Sequence, residues 1–130
     1  MGNDQNMIAI GAGCRKDCPA DEILGLIRET LAAFPGATAR GLFTVADKKG
    51  EPGLEQAAAA LGLPLVLLDK AVLQLVAGDA KSCSRRVEEL YGLPSIAETA
   101  ALAGAGQGAV LLSARRNSAR ATCAIAGFAS

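Results

Sequence analysis

The sequence predicts an α/β protein: a three-layer α/β/α sandwich with a mixed, mostly parallel sheet and a C-terminal β-hairpin. Two patterns carry that expectation. Three short apolar runs, 7–11, 42–46 and 65–68, alternate with segments of helical periodicity. After a further helical stretch, two apolar runs of strand length, 110–114 and 122–126, flank the polar Arg115-Arg116-Asn117-Ser118, which reads as a hairpin turn.

Each element follows from local signals. Met7-Ile-Ala-Ile-Gly11 reads as a buried strand, then a glycine turn holding Arg15 and Lys16. Pro19, Asp21 and Glu22 open the first helix, with acids where the helix dipole favours them. Ile23, Ile27 and Leu31, with Leu24 beside them, form an apolar stripe facing a sheet, and Pro35-Gly36 ends that helix. After the 42–46 strand, Asp47-Lys48-Lys49-Gly50-Glu51-Pro52-Gly53 is a polar loop. Leu54–Leu61 is an Ala-rich helix stopped by Gly62 and Pro64, and 65–68 is the third strand. Ala71–Val76 is a short helix broken by Gly78-Asp79. Ser84 caps a helix over 85–91, Gly92-Leu93-Pro94 ends it, and Ser95-x-x-Glu98 opens the next as a capping box.

Composition narrows the function. At 130 residues the chain builds one domain, 1–130, with one core. Aromatics are 3% and the net charge is +0, so stacking platforms and a global basic field are both missing, and nucleic acid is a poor partner. No apolar run approaches the ~20 residues of a membrane span, and the start lacks a signal-peptide pattern, so the expected location is cytoplasmic, away from any membrane. Histidine is absent, which removes His-based triads and His metal ligands. Acid–base chemistry on this chain must use carboxylates, Lys, Cys or Tyr91.

Ligands of parallel sheets sit beyond the strands' carboxyl ends, which puts Gly11–Lys16 and Asp47–Gly53 on one rim. The turn Gly11-Ala-Gly13-Cys14-Arg15-Lys16 is neither a P-loop nor a dinucleotide fingerprint. It is either a tight strand-to-helix connection with solvated cations or an anion site on a helix N-terminus. Cys14 and Cys18 are spaced C-x3-C, which fits no common zinc or dithiol site, so no metal and no cofactor are expected. Cys123, in an apolar strand, reads as core. Asp47, Lys48 and Glu51 are a solvated turn or face the same cleft as Arg15. Arg115 and Arg116 read as solvated, and Arg40, Arg85 and Arg86 carry no functional weight.

Four blocks resemble the stand-alone CobE proteins and the C-terminal domain of CbiG, both of cobalamin biosynthesis. They are Gly11-x-Gly13-Cys14-Arg15-Lys16 with the helix opening Pro19-Ala-Asp-Glu-Ile23; Asp47-Lys48-Lys49-x-Glu51-x-Gly53-Leu54 with Leu61-Gly-Leu-Pro-Leu65; Ser84-x-x-Val87 with Gly92-x-x-Ser95-Ile-Ala-Glu98-x-Ala-Ala-Leu102; and Ala121-Thr-x-Ala-Ile-Ala126. Asp17-Cys18 departs from the family's usual small pair such as Gly-Thr, Thr99 stands where a proline is common, and Arg115 and Arg116 stand where a lysine usually precedes the last block.

The resemblance implies a part in building the corrin ring. CbiG-type proteins open the lactone of cobalt-precorrin-5A and release a two-carbon fragment, whereas CobE belongs to the aerobic branch. The implied ligand is a precorrin, a macrocycle ringed with carboxylates. Gly11, Gly13, Cys14, Arg15, Lys16, Lys48, Ser95 and Glu98 are its expected contacts. In a hydrolase, Asp47 or Glu51 activates water while Arg15 or Lys16 stabilises the departing carboxylate. The alternative is a non-catalytic carrier or assembly module. Expected partners are the tetrapyrrole and either a second copy or another corrin-pathway enzyme.

Overall fold

In order along the chain the elements are β1 (Met7–Cys14), α1 (Ala20–Leu31), β2 (Thr38–Val45), α2 (Pro52–Leu61), β3 (Leu65–Leu68), α3 (Lys70–Gln74), α4 (Arg85–Tyr91), α5 (Ile96–Ala105), β4 (Val110–Asn117) and β5 (Ala121–Gly127). They come from a computed structural model that describes residues 7–128. Short 3₁₀ turns at Ala46–Lys48 and Ala77–Asp79 complete the list.

The sheet has the order β3-β2-β1-β5-β4. β1 pairs with β2, and β2 with β3, in parallel; β5 is antiparallel to both β1 and β4. Four strands therefore share a direction and β5 alone opposes them, as a right-handed series of crossovers followed by a hairpin requires. The α/β sandwich with a mixed sheet and C-terminal hairpin is what the sequence predicts.

Alternation along the strands sorts two cores. Ile10, Ala12, Leu42 and Cys123 face α1 and α2, where Ile23, Ile27, Leu54 and Ala57 meet them. Ala9, Phe43, Val45, Ala124 and Ala126 face α5, with Leu73 of α3 and Leu93 behind. Of the predicted α1 stripe, Ile23 and Ile27 are buried while Leu24 and Leu31 are only half-buried against the same core, and Leu26 and Thr30 complete the buried face.

Strand ends differ from the sequence expectation in two places that matter. β1 runs on through Gly11-Ala-Gly-Cys, pairing Gly11 with both Phe43 and Ala124. These glycines are strand residues, and the turn begins only at Arg15. β4 likewise runs to Asn117, so Arg115 and Arg116 are strand residues and the reversal lies at 118–120. In both cases cross-strand hydrogen bonding overrides a polar or glycine-rich local signal.

Gly11 has a packing role. A methyl group there would lie 1.9 Å from the Ala97 carbonyl oxygen and 2.5 Å from the Ala101 nitrogen. Only a bare Cα lets α5 lie this close to β1, and the small face Ala97, Ala100 and Ala101 completes the fit. Gly11→Ala is expected to destabilise the fold by about 3 kcal/mol or more, since the clash is with backbone that cannot turn away. Chemical denaturation of the two proteins measures it; equal midpoints would refute the packing role.

Candidate functional site: a cationic cleft

An open cleft of about 500 Å³ lies at the carboxyl end of β1. Its walls are the turn after β1, the β4–β5 hairpin, and the beginnings of α4 and α5. Side chains from distant parts of the chain converge there, as the rule for open α/β sheets leads one to expect.

The first wall is a β-turn in which the Cys18 N–H donates to the Arg15 carbonyl at 3.1 Å. Asp17 takes a φ of 64°, a left-handed conformation that glycine adopts most cheaply and Asp tolerates. Glu51 steadies the strained turn by accepting the Asp17 N–H at 3.2 Å, and the Lys48 ammonium donates to the Cys14 carbonyl. Arg15 is tied to the hairpin by its own N–H, which donates to the Arg120 carbonyl at 2.8 Å. The side chains of Arg15 and Lys16 are left exposed on the rim.

Glu22 builds the second wall. Its carboxylate accepts the Ser118 hydroxyl, the Arg120 N–H at 2.6 Å and the Arg120 Nε at 2.9 Å, fastening the hairpin to α1. The Ser118 hydroxyl and the Arg120 N–H, with the Arg120 guanidinium, hold the Glu22 carboxyl below its ordinary value, against an opposing push from burial.

Glu98 builds the third. It is fully buried at the first turn of α5. The capping box is only half made, because the Ser95 hydroxyl accepts the Glu98 N–H at 3.2 Å but the carboxylate turns elsewhere. It accepts the N–H groups of Lys81, Ser82 and Arg115 at 2.8–2.9 Å and the Ser82 hydroxyl at 2.9 Å. Burial, the largest single influence, pushes the Glu98 carboxyl up, but the hydrogen bonds from Arg115, Ser82 and Lys81 outweigh it and leave it lowered.

The charge of the lining is one-sided. Among the described residues Arg15, Lys16, Lys48, Arg86, Arg115 and Arg120 line the cleft, and no Asp or Glu does. Among the described residues only Arg120 of these six pairs with a carboxylate. The same lining carries the apolar side chains of Val87, Leu90, Tyr91 and Ile96. Leu90 is 56% exposed.

The site residues named from sequence therefore divide. Gly13, Cys14, Arg15, Lys16, Lys48 and Ser95 come together on the cleft; Gly11 and Glu98 do not line it. Gly11 is covered by α5, and Glu98 is saturated by internal donors. Asp47 and Glu51 also lie off the lining: Asp47 faces Lys70 at 3.8 Å and Glu51 holds Asp17. Pro19–Asp21 do not reach the cleft either, so the helix ends that meet it belong to α4 and α5 instead of α1. Sequence reasoning missed Arg86, Val87, Leu90, Tyr91, Asn117 and Arg120. Arg115 and Arg116 it set aside as solvated, but only Arg116 leaves the cleft, reaching Glu29 at 3.1 Å.

None of the four cysteines is bonded to another, and no group of three acidic or thiol ligands is arranged for a metal among the described residues. Burial pushes the Cys14 thiol up to about 11 despite Lys48 nearby, and does the same to Cys123; burial also raises Cys18. Cys14 is thus a neutral thiol at physiological pH, without the thiolate a nucleophile needs.

The family model described as Cobalamin synthesis G C-terminus matches residues 8–126, spanning the sheet, the helices and every wall of the cleft. The chain belongs to the CbiG C-terminal family. Its role lies in cobalamin biosynthesis. A curated relative, Protein CobE of a Sinorhizobium species, is 35% identical over 123 residues, covering 92% of this chain and 79% of the relative. The crystal structure of CobE, described as a protein of the cobalamin (vitamin B12) biosynthetic pathway, superposes with a TM-score of 0.87 at 35% identity, covering 95% of this chain and 91% of that one. The cobalamin biosynthesis protein chiG of Agrobacterium tumefaciens superposes with a TM-score of 0.75 at 33% identity, covering 95% and 99%.

Two expectations test this picture of the cleft and its struts. Glu22 and Glu98 both titrate lower when folded, so the stability they lend is complete above the ordinary value of 4.5 and is lost as pH falls through their lowered values. Urea midpoints should be flat from about pH 7 to 5 and fall below about pH 4, and Glu98→Gln should lower the plateau by about 2 kcal/mol while flattening the acid limb. An unchanged acid limb would refute the assignment. In thiol alkylation near pH 8, exposed Cys83 should react first, half-buried Cys14 slowly, and buried Cys18 and Cys123 only after unfolding, read by mass spectrometry.

Proposed function

We propose that the cleft binds a polycarboxylated tetrapyrrole intermediate of corrin synthesis, a precorrin, and that this chain holds the ligand without turning it over. The observation that carries the reading is the segregation of charge: a chain of net charge +0 gathers six cations and no carboxylate around one cleft. A precorrin matches that arrangement, since it is a macrocycle with an apolar ring face and an edge of acetate and propionate groups. The ring face lies against Val87, Leu90 and Tyr91, which gives the exposure of Leu90 a purpose. The acids meet the cations of the hairpin and the β1 turn through charge-assisted hydrogen bonds.

Binding is favoured over lactone hydrolysis because neither of the carboxylates expected to activate water, Asp47 and Glu51, is among the described residues that line the cleft. It has no carboxylate and no histidine, its one thiol is neutral, and Asp47 and Glu51 are engaged elsewhere. Membership in a cobalamin-biosynthesis family supports the choice of ligand class.

The test is titration with uroporphyrin, a stable tetrapyrrole ringed with acetate and propionate groups, against its fully esterified form, read by absorbance shift. The acid form should bind and the ester should not, with affinity falling as salt rises. The double variant Arg15→Ala, Lys16→Ala should weaken binding about tenfold, the equivalent of ~1.4 kcal/mol. Equal binding of acid and ester, or binding of neither, would overturn the reading. Loss of the lactone from a precorrin-5 species on incubation with pure protein would overturn the non-catalytic part alone.

A further inference from the structure

We infer that Arg115 is the fixed carboxylate anchor of the cleft and that Glu98 is its positioning residue, an inference that rests on the polycarboxylate reading above. It begins with a register irregularity. Ser113 pairs with Ile125 and Arg116 with Cys123, so three steps along β4 answer two along β5. The surplus residue falls at Ala114–Arg115, and such a bulge re-aims the side chain beside it. Freed from the ladder, the Arg115 N–H donates to Glu98 Oε2 at 2.8 Å.

Glu98 takes the main chain of Arg115 and leaves its guanidinium alone. Its oxygens are already engaged by Lys81 and Ser82, so no acidic partner among the described residues meets the Arg115 side chain. The Nε atom is buried and makes no hydrogen bond among the described residues. Buried donors are nearly always satisfied in native proteins, so a partner from outside the chain is the natural explanation on a cleft lining. Its neighbour Arg116, one residue on and facing the other side of the sheet, is paired with Glu29 at 3.1 Å. The contrast sets Arg115 apart.

The other cations of the cleft differ in kind. Arg15, Lys16 and Arg86 are exposed rim charges, and Lys48 already donates to a carbonyl. Arg115 is half-buried with its Nε sealed from solvent; rim charges govern encounter rate and salt dependence, whereas a partly buried guanidinium beside the ligand governs how long the partner stays. Arg115 also presents a planar fork that matches a carboxylate, which lysine cannot copy.

The experiment uses uroporphyrin with wild type, Arg115→Ala, Arg115→Lys, Arg86→Ala, Glu98→Gln and the pair Arg115→Ala with Glu98→Gln, all checked for folding by circular dichroism. Loss of the Arg115 side chain should weaken binding about 10–100-fold through a faster off-rate. Lysine should restore only part of it, and Arg86→Ala should cost about threefold or less. Glu98→Gln should weaken binding in the wild-type background and add nothing once Arg115 is alanine, a coupling that general structural damage does not produce. If Glu98→Gln does not fold, Glu98→Asp, which keeps the charge but is one methylene shorter, takes its place in the cycle. Equal losses for Arg115→Ala and Arg86→Ala overturn the anchor, and additive losses overturn the positioning role. Wild type that binds no uroporphyrin overturns the cleft reading and this inference with it.

Discussion

The contact on which the rest depends is the one between α5 and β1, backbone against backbone. With no side chain at Gly11, Ala97 settles onto the central strand, and the whole first turn of the helix is fixed in depth. That depth puts Ser95 and Ile96 on the cleft and sinks Glu98 below it. Once Glu98 is buried as an anion it must be surrounded by donors, because an unpaired charge at that depth would be far more costly than any surface group. The donors it finds are main-chain amides from the segment before α4 and from the bulge of β4. One glycine thereby determines where two otherwise unrelated walls stand.

A second carboxylate performs the same service from the opposite side. Glu22 holds the tip of the hairpin through Ser118 and Arg120, as Glu98 holds its stem through Arg115. Both acids are internal struts, and both keep arginines at the cleft. The absence of carboxylates on the lining and the presence of carboxylates behind it are two halves of one arrangement. Groups placed in advance by internal contacts of this kind need less ordering at the moment a partner binds.

The architecture was legible because it rests on apolar runs and helix caps. Leu65–Leu68 and Arg85–Tyr91 have the boundaries that their flanking Pro, Ser and Gly residues announce. The α1 stripe follows from spacing alone. The site was legible only on one side. Arg15, Lys16 and Lys48 sit where a strand–turn–helix reading places them, but Gly11 was misjudged, because a glycine needed for a turn and one needed for helix contact look alike in sequence. Arg115 and Arg120 were hidden for a deeper reason. Their placement depends on a bulge and on acids 17 and 98 residues away, and long-range pairing of that kind leaves no local pattern. Glu98 shows the same limit: its spacing from Ser95 announced a cap, and tertiary donors drew the carboxylate away from it.

The irregular stretch of β4 has one more effect, on how copies of this protein meet. β4 is an outer strand of the sheet, with one side of its backbone open to any strand that could lie beside it. Its pairing with β5 slips twice along its length, at Leu111–Ser113 and again at Ser113–Arg116. A strand so kinked offers no straight run of amides and carbonyls to a stranger. At the far border β3 has only four residues, closed off by Pro64 before it and by Asp69 and Lys70 after it. The distortion that turns an arginine inward thus also guards against fibre-like stacking, so straightening it should make concentrated solutions clump.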